Sequence, residues 1–130
     1  MKIKLSVSIA LAVLFIILSS ASLSFAQSDQ IVGGYGEADV KDQDVINAAK
    51  FAVKKGAKKE KATITLVNIN QARVQVVAGL NYEVCLETDY KKSGKKAVKK
   101  YVKAVVYKNL KNVYSLTNWI LSNEPLECKD

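Results

Sequence analysis

Between Asp39 and about Lys59, apolar side chains recur at Val45, Ala49, Ala52 and Val53, the spacing of one buried helical face, and Ala48 and Phe51 widen that stripe. Asp39 or Asp42 can cap the start. Asp42 and Asp44 lie near the positive end of the helix dipole, while Lys54, Lys55, Lys58 and Lys59 crowd the negative end. Gly56 reads as the stop. Beyond it the period shortens to two. Leu80, Tyr82, Val84 and Leu86 alternate with Asn81, Glu83, Cys85 and Glu87, which predicts a strand with one buried face and one wet face. Ala62 to Val74 is rich in β-branched residues, but its apolar phase slips between Leu66 and Val67 and again between Ile69 and Ala72, as bulges would make it do. Lys91 to Lys96 is a solvated turn, and Ala97 to Tyr107 and Val113 to Leu121 complete four β segments before Pro125 ends the regular structure. One helix followed by an antiparallel meander predicts an α+β domain whose twisted sheet wraps the helix, because nothing else can cover the apolar stripe.

The hairpin turn Gln75-Val76-Val77-Ala78-Gly79 breaks the expected chemistry. Such turns normally carry Asn, Asp, Gly or Ser, which tolerate the dihedrals and stay solvated. Two adjacent valines there either point into the domain's own core, the reading composition favours, or form an apolar wedge for a partner's groove. A second short turn, Lys108 to Asn112, carries a single leucine at its tip. Alternate turns of a meander share one edge, so both tips fall together, and an extended N-terminal segment can reach the same edge.

Composition narrows the chemistry. Met1 to Lys4 forms a basic start, an apolar run follows from Leu5 to Phe25, and Ser24-Phe25-Ala26 supplies small residues for cleavage, so residues 1–26 read as a signal peptide and 27–130 as one domain. The run is also long enough to span a bilayer, but the small-residue site favours cleavage. Without Lys2 and Lys4, 18 basic residues remain against 12 acidic ones, a net +6. One arginine, Arg73, and few aromatics among the lysines argue against nucleic acid and for a solvated basic rim. The chain has no histidine, which excludes imidazole-dependent nucleophiles and most zinc sites; no metal, no cofactor and no catalytic residue is expected. Two cysteines, Cys85 and Cys128, make one bridge the default in an oxidising compartment. By the strand alternation Cys85 points away from the helix, so a bridge requires the tail to fold back across the outer face of the sheet.

The residues resemble the cystatin family of cysteine-protease inhibitors over nearly the whole of 27–130. Gln75-Val76-Val77-Ala78-Gly79 is similar to the family's Gln-x-Val-x-Gly loop and is followed by Leu80-Asn81-Tyr82. Ile31-Val32-Gly33-Gly34 looks like its N-terminal trunk, and Ala48-Ala49-Lys50-Phe51-Ala52-Val53 like its helix signature. The resemblance implies a cystatin-like fold, one long helix gripped by four to five antiparallel strands. It also implies reversible tight binding to papain-like proteases, with no membrane role for the mature form. Ile31 and Val32 would enter substrate-like pockets, and Gly33 and Gly34 would act as a hinge. Val76 and Val77 would supply buried area, Gln75 would hold the loop, and Gly79, next to Ala78, would permit close backbone approach.

Two features depart from the family pattern. The second loop carries Asn109-Leu110 where the family places Pro-Trp, and Trp119 is read as part of the last strand, with a longer loop presenting Trp119 as the alternative. The loop after the helix lacks the asparagine that would imply legumain inhibition. A secreted or periplasmic inhibitor is therefore expected, a monomer able to swap domains through its valine-bearing tip. The competing expectation is a non-inhibitory module of the same fold, binding membranes or acidic glycans through its basic surface.

Overall fold

A computed structural model of the chain describes residues 33–129. The expected leader, together with Ile31 and Val32, lies outside those residues. Strand β1 (Tyr35–Ala38) precedes helix α1 (Gln43–Glu60), and β2 (Thr63–Val77), β3 (Gly79–Lys91), β4 (Val98–Lys108) and β5 (Tyr114–Ser122) follow it. The five strands form one antiparallel sheet in chain order. Sequence periodicity yields four of these strands; β1 is the addition, a short edge strand pairing Tyr35 with Gln75 and Ala38 with Ala72.

Helix α1 starts at Asp42, not Asp39. The Asp42 carboxylate accepts from the Asp44 and Val45 amides at 2.8 and 3.4 Å, satisfying two of the donors that a helix start leaves without partners. Gly56 does not stop the helix. The end comes at Lys61, in the left-handed conformation (φ 52°), where the Ala62 amide reaches back to the Ala57 carbonyl at 3.1 Å. Gly56 instead lies buried mid-helix beneath Trp119, whose ring occupies the space a Cβ would need. The Trp119 indole N–H donates to Glu60 Oε1 at 2.9 Å, so this large ring is buried with its polar atom satisfied.

The core lies between α1 and the inner face of the sheet. Val45, Ala48, Ala49 and Ala52 meet Val84, Leu86, Val102, Ala104 and Val106, all essentially inaccessible to solvent. Three alanines on the helix let the sheet come close, and Ala104, paired with Trp119 across β4 and β5, stays small beside that ring. Register shifts between Leu66 and Asn68 and between Ile69 and Gln71 place the bulges in β2 where the apolar phase slips.

The outer face is not wet along β3. Glu83 and Cys85 are buried there, at 6% and 1% exposure. The tail beyond Pro125 folds back over them, and Cys128 is bridged to Cys85 with Cα atoms 5.8 Å apart. The Cys128 amide donates to Gln71 Oε1 at 3.2 Å and Lys103 Nζ to the Lys129 carbonyl at 2.9 Å, so the tail is tied to both β2 and β4. Under this cover Arg73 pairs with Glu83 at 3.3 Å and lies over the Tyr35 ring.

Candidate functional site

The two hairpins and the start of β1 meet at one end of the sheet. In the first hairpin Val76 pairs with Leu80 and Val77 with Gly79, leaving Ala78 at the apex. Both valines face solvent, Val76 at 55% and Val77 at 39% exposure, so the core reading of these residues is overturned. Val76 borders an open cleft shared with Asp42, Asp44 and Val45 at the start of α1, which leaves its side chain largely uncovered. Gly79 adopts φ +111°, and a Cβ there would collide with the Lys108 carbonyl of the neighbouring strand.

The second hairpin stands beside the first. Leu80 pairs with Lys108, and the Tyr107 hydroxyl donates to the Ala78 carbonyl, bracing one tip from the strand of the other. Within the second loop Asn109 makes the turn. Its side-chain oxygen accepts from the Lys111 and Val113 amides at 2.9 and 3.0 Å, while its backbone amide donates to the Val113 carbonyl. Leu110 is thereby held at the tip at 80% exposure, with Val113 behind it at 58%. Trp119 belongs to β5 and the core, so the second loop presents Leu110 and not Trp119.

The trunk joins through Gln75. Its side-chain NH₂ donates to the Gly33 carbonyl at 2.7 Å, and its side-chain oxygen accepts from Asn81 Nδ2 at 2.9 Å. Asn81 therefore fixes which way the Gln75 amide points, and Gln75 in turn holds the backbone at Gly33, next to Gly34. Gly33 has φ +99°, open space around it and no side chain to clash. Of the sequence-derived site residues, Gly33, Gly34, Gln75 to Gly79, Asn109 and Leu110 thus share one end of the molecule; Ile31 and Val32 precede the described residues. Tyr107 and Val113 were not singled out from sequence, and Asn81 entered only within the Leu80-Asn81-Tyr82 run. Asn81 reads as an outward strand position and Tyr107 as a strand end, and only the structure shows their side chains bonded to Gln75 and Ala78.

Electrostatics at this end is mild. Lys108 pairs with Asp44 at 3.2 Å, and that hydrogen bond, more than any other influence, raises the lysine's pKa. Among the described residues no three His, Cys, Asp or Glu side chains converge to hold a metal ion. The arrangement offers shape and apolar surface.

A family model described as SQAPI, aspartic acid proteinase inhibitor, matches residues 37–120, well over half of the chain. Over 61 residues the chain is 44% identical to L-cystatin of Tachypleus tridentatus. The chain belongs to the cystatin family. The family is one of inhibitors, not enzymes. The L-cystatin match covers 45% of this chain and 46% of that protein, less than half the length of either. Among solved structures, a salivary cystatin from the soft tick Ornithodoros moubata superposes with a TM-score of 0.58 at 24% identity, over 70% of this chain and 98% of that one. Al-CPI superposes with a TM-score of 0.53 at 20% identity, over 69% and 100%. Both likenesses show the cystatin fold, one helix against a five-stranded antiparallel sheet.

Proposed function

We propose that this cystatin is a reversible, tight-binding inhibitor of papain-like cysteine proteases, exported to the outside of the cell or the periplasm after loss of residues 1–26. One observation carries the reading: exposed apolar side chains, Val76, Val77 and Leu110, stand on two mutually braced hairpins that share an end with the Gly33–Gly34 trunk. Covering what remains exposed of each valine is worth about 1 kcal/mol, and with Leu110 a few residues can dominate the affinity. The hairpins enter the cleft around the protease's catalytic cysteine, and the trunk carries Ile31 and Val32 into the adjoining substrate pockets. Inhibition is steric, since a rigid tip fills the cleft without holding a peptide bond in line for attack.

A second reading is favoured by the description of the matching family model, which names aspartic proteinases. The same edge would then occupy the cleft of an aspartic proteinase. Parallel titrations of papain and pepsin, each at an enzyme concentration well below the inhibitor's, separate the two readings. Inhibition of papain in the nanomolar range, with pepsin unaffected, supports the first; the reverse pattern replaces it. Full activity of both enzymes at micromolar protein leaves the non-inhibitory module as the account of this fold.

A further inference from the structure

The two lysine-rich stretches, far apart in sequence, converge at the end of the molecule opposite the loops. Thr63 pairs with Lys91 and Tyr90 with Val98, which brings the last turn of α1 against the β3–β4 turn. Two clefts lie there. One, of about 570 Å³, is lined by Lys58, Lys61, Lys91 and Lys92 together with Thr63 and Ser93. The other, of about 320 Å³, is lined by Lys92, Lys95, Lys96 and Lys100 beside Tyr90. Lys92 lines both, so the two shallow clefts adjoin along one basic track.

No carboxylate lines either cleft. The acidic residues nearby are engaged or turned away: Glu60 accepts from the Trp119 indole, Glu87 pairs with Lys99 at 2.8 Å, and Asp89 faces the opposite side of the sheet from Tyr90. The C-terminal carbonyls of α1 point toward this end, and Lys58 and Lys61 more than offset their partial negative charge. So many uncompensated ammonium groups repel one another, and a polyanion that displaces their counterions relieves that repulsion.

We propose that this track binds a linear sulfated polysaccharide. Lysine ammonium groups are compact point charges that suit sulfates spaced along a flexible chain and need no planar two-point match. A lipid surface fits less well, because Val98 is the one large exposed apolar residue lining the track. Nucleic acid fits less well too. Tyr90 is buried beneath Lys100, whose ammonium lies 5.1 Å from the ring centre, leaving no stacking platform, and Arg73 is paired with Glu83 on the outer face. The track lies at the far pole from the loops, so a glycan-bound molecule keeps them free.

The test is calorimetric titration of the purified protein with heparin at two salt concentrations, beside two triple variants of equal net charge. One variant, Lys58→Gln with Lys91→Gln and Lys92→Gln, removes three of the seven lysines lining the track; the other, Lys41→Gln with Lys50→Gln and Lys111→Gln, removes exposed lysines elsewhere. The track variant loses roughly tenfold or more in affinity and the control less than about twofold. Equal losses in the two variants overturn the site, since only net charge would then matter. Tighter binding to phosphatidylserine vesicles or to single-stranded DNA than to heparin overturns the polysaccharide assignment. So does undiminished binding of desulfated heparin.

Discussion

Gly56 shows how one residue type can be read correctly as special and wrongly as to why. Glycine near a lysine-rich helix end looks like a terminator, yet here it is the seat of the Trp119 ring. The sequence holds no local sign of this, because the two residues are 63 positions apart and meet only when β5 packs on α1. Replacing Gly56 with alanine improves helix propensity by about 1 kcal/mol but overpacks the ring by up to about 3 kcal/mol. A net destabilisation of about 2 kcal/mol is expected in urea unfolding; a more stable Gly56→Ala protein would show that the ring does not rest there. Tyr82 makes a second prediction. Burial first, and then the charge of Asp44, raises its pKa above the ordinary 10.0. Its neutral form is therefore favoured by folding. That contribution is complete below about pH 10 and is lost as pH climbs through the raised folded value. Lys108 works in the same direction, its charge favoured in the folded state by Asp44. Circular dichroism against pH is expected to show unfolding at the alkaline end, and Tyr82→Phe to move that transition to higher pH.

At the scale of elements, the helix, the β2 bulges and the β3 alternation were all legible, because each is written as a local period or a break in one. The site was half legible. The Gln75 to Gly79 loop and Leu110 stood out as apolar residues in turns, whereas the bracing by Asn81 and Tyr107 depends on strand register, which no single segment encodes. The expected wet face of β3 failed for a related reason: what covers Glu83 and Cys85 is the tail, 43 residues away along the chain at the bridge. That bridge closes a long loop, so its loss from the oxidised protein should cost about 3–4 kcal/mol by chain entropy. Cys85→Ser with Cys128→Ser is expected to lower the urea midpoint accordingly and to let the tail be trimmed by a protease. An unchanged midpoint would mean that the tail's hydrogen bonds to Gln71 and Lys103 hold it unaided.

The whole molecule is organised by two poles on one rigid frame. Sheet and helix fix the loop end and the lysine end at opposite sides, so the proposed inhibitory edge and the proposed glycan track can act independently. The central claim concerns the loop end, and with Leu110 as the tip of the second loop it rests mainly on Val76 and Val77. The most direct measurement is the inhibition constant against papain for the wild-type protein and for Val76→Asp with Val77→Asp, after circular dichroism has shown the variant folded. These side chains are exposed, so the fold should survive, while covering the exposed parts of the two valines contributes about 1.5–3 kcal/mol to the complex and a buried, unpaired carboxylate in their place costs more. A loss of two orders of magnitude or more is predicted; equal inhibition by the two proteins would contradict the assignment of the wedge.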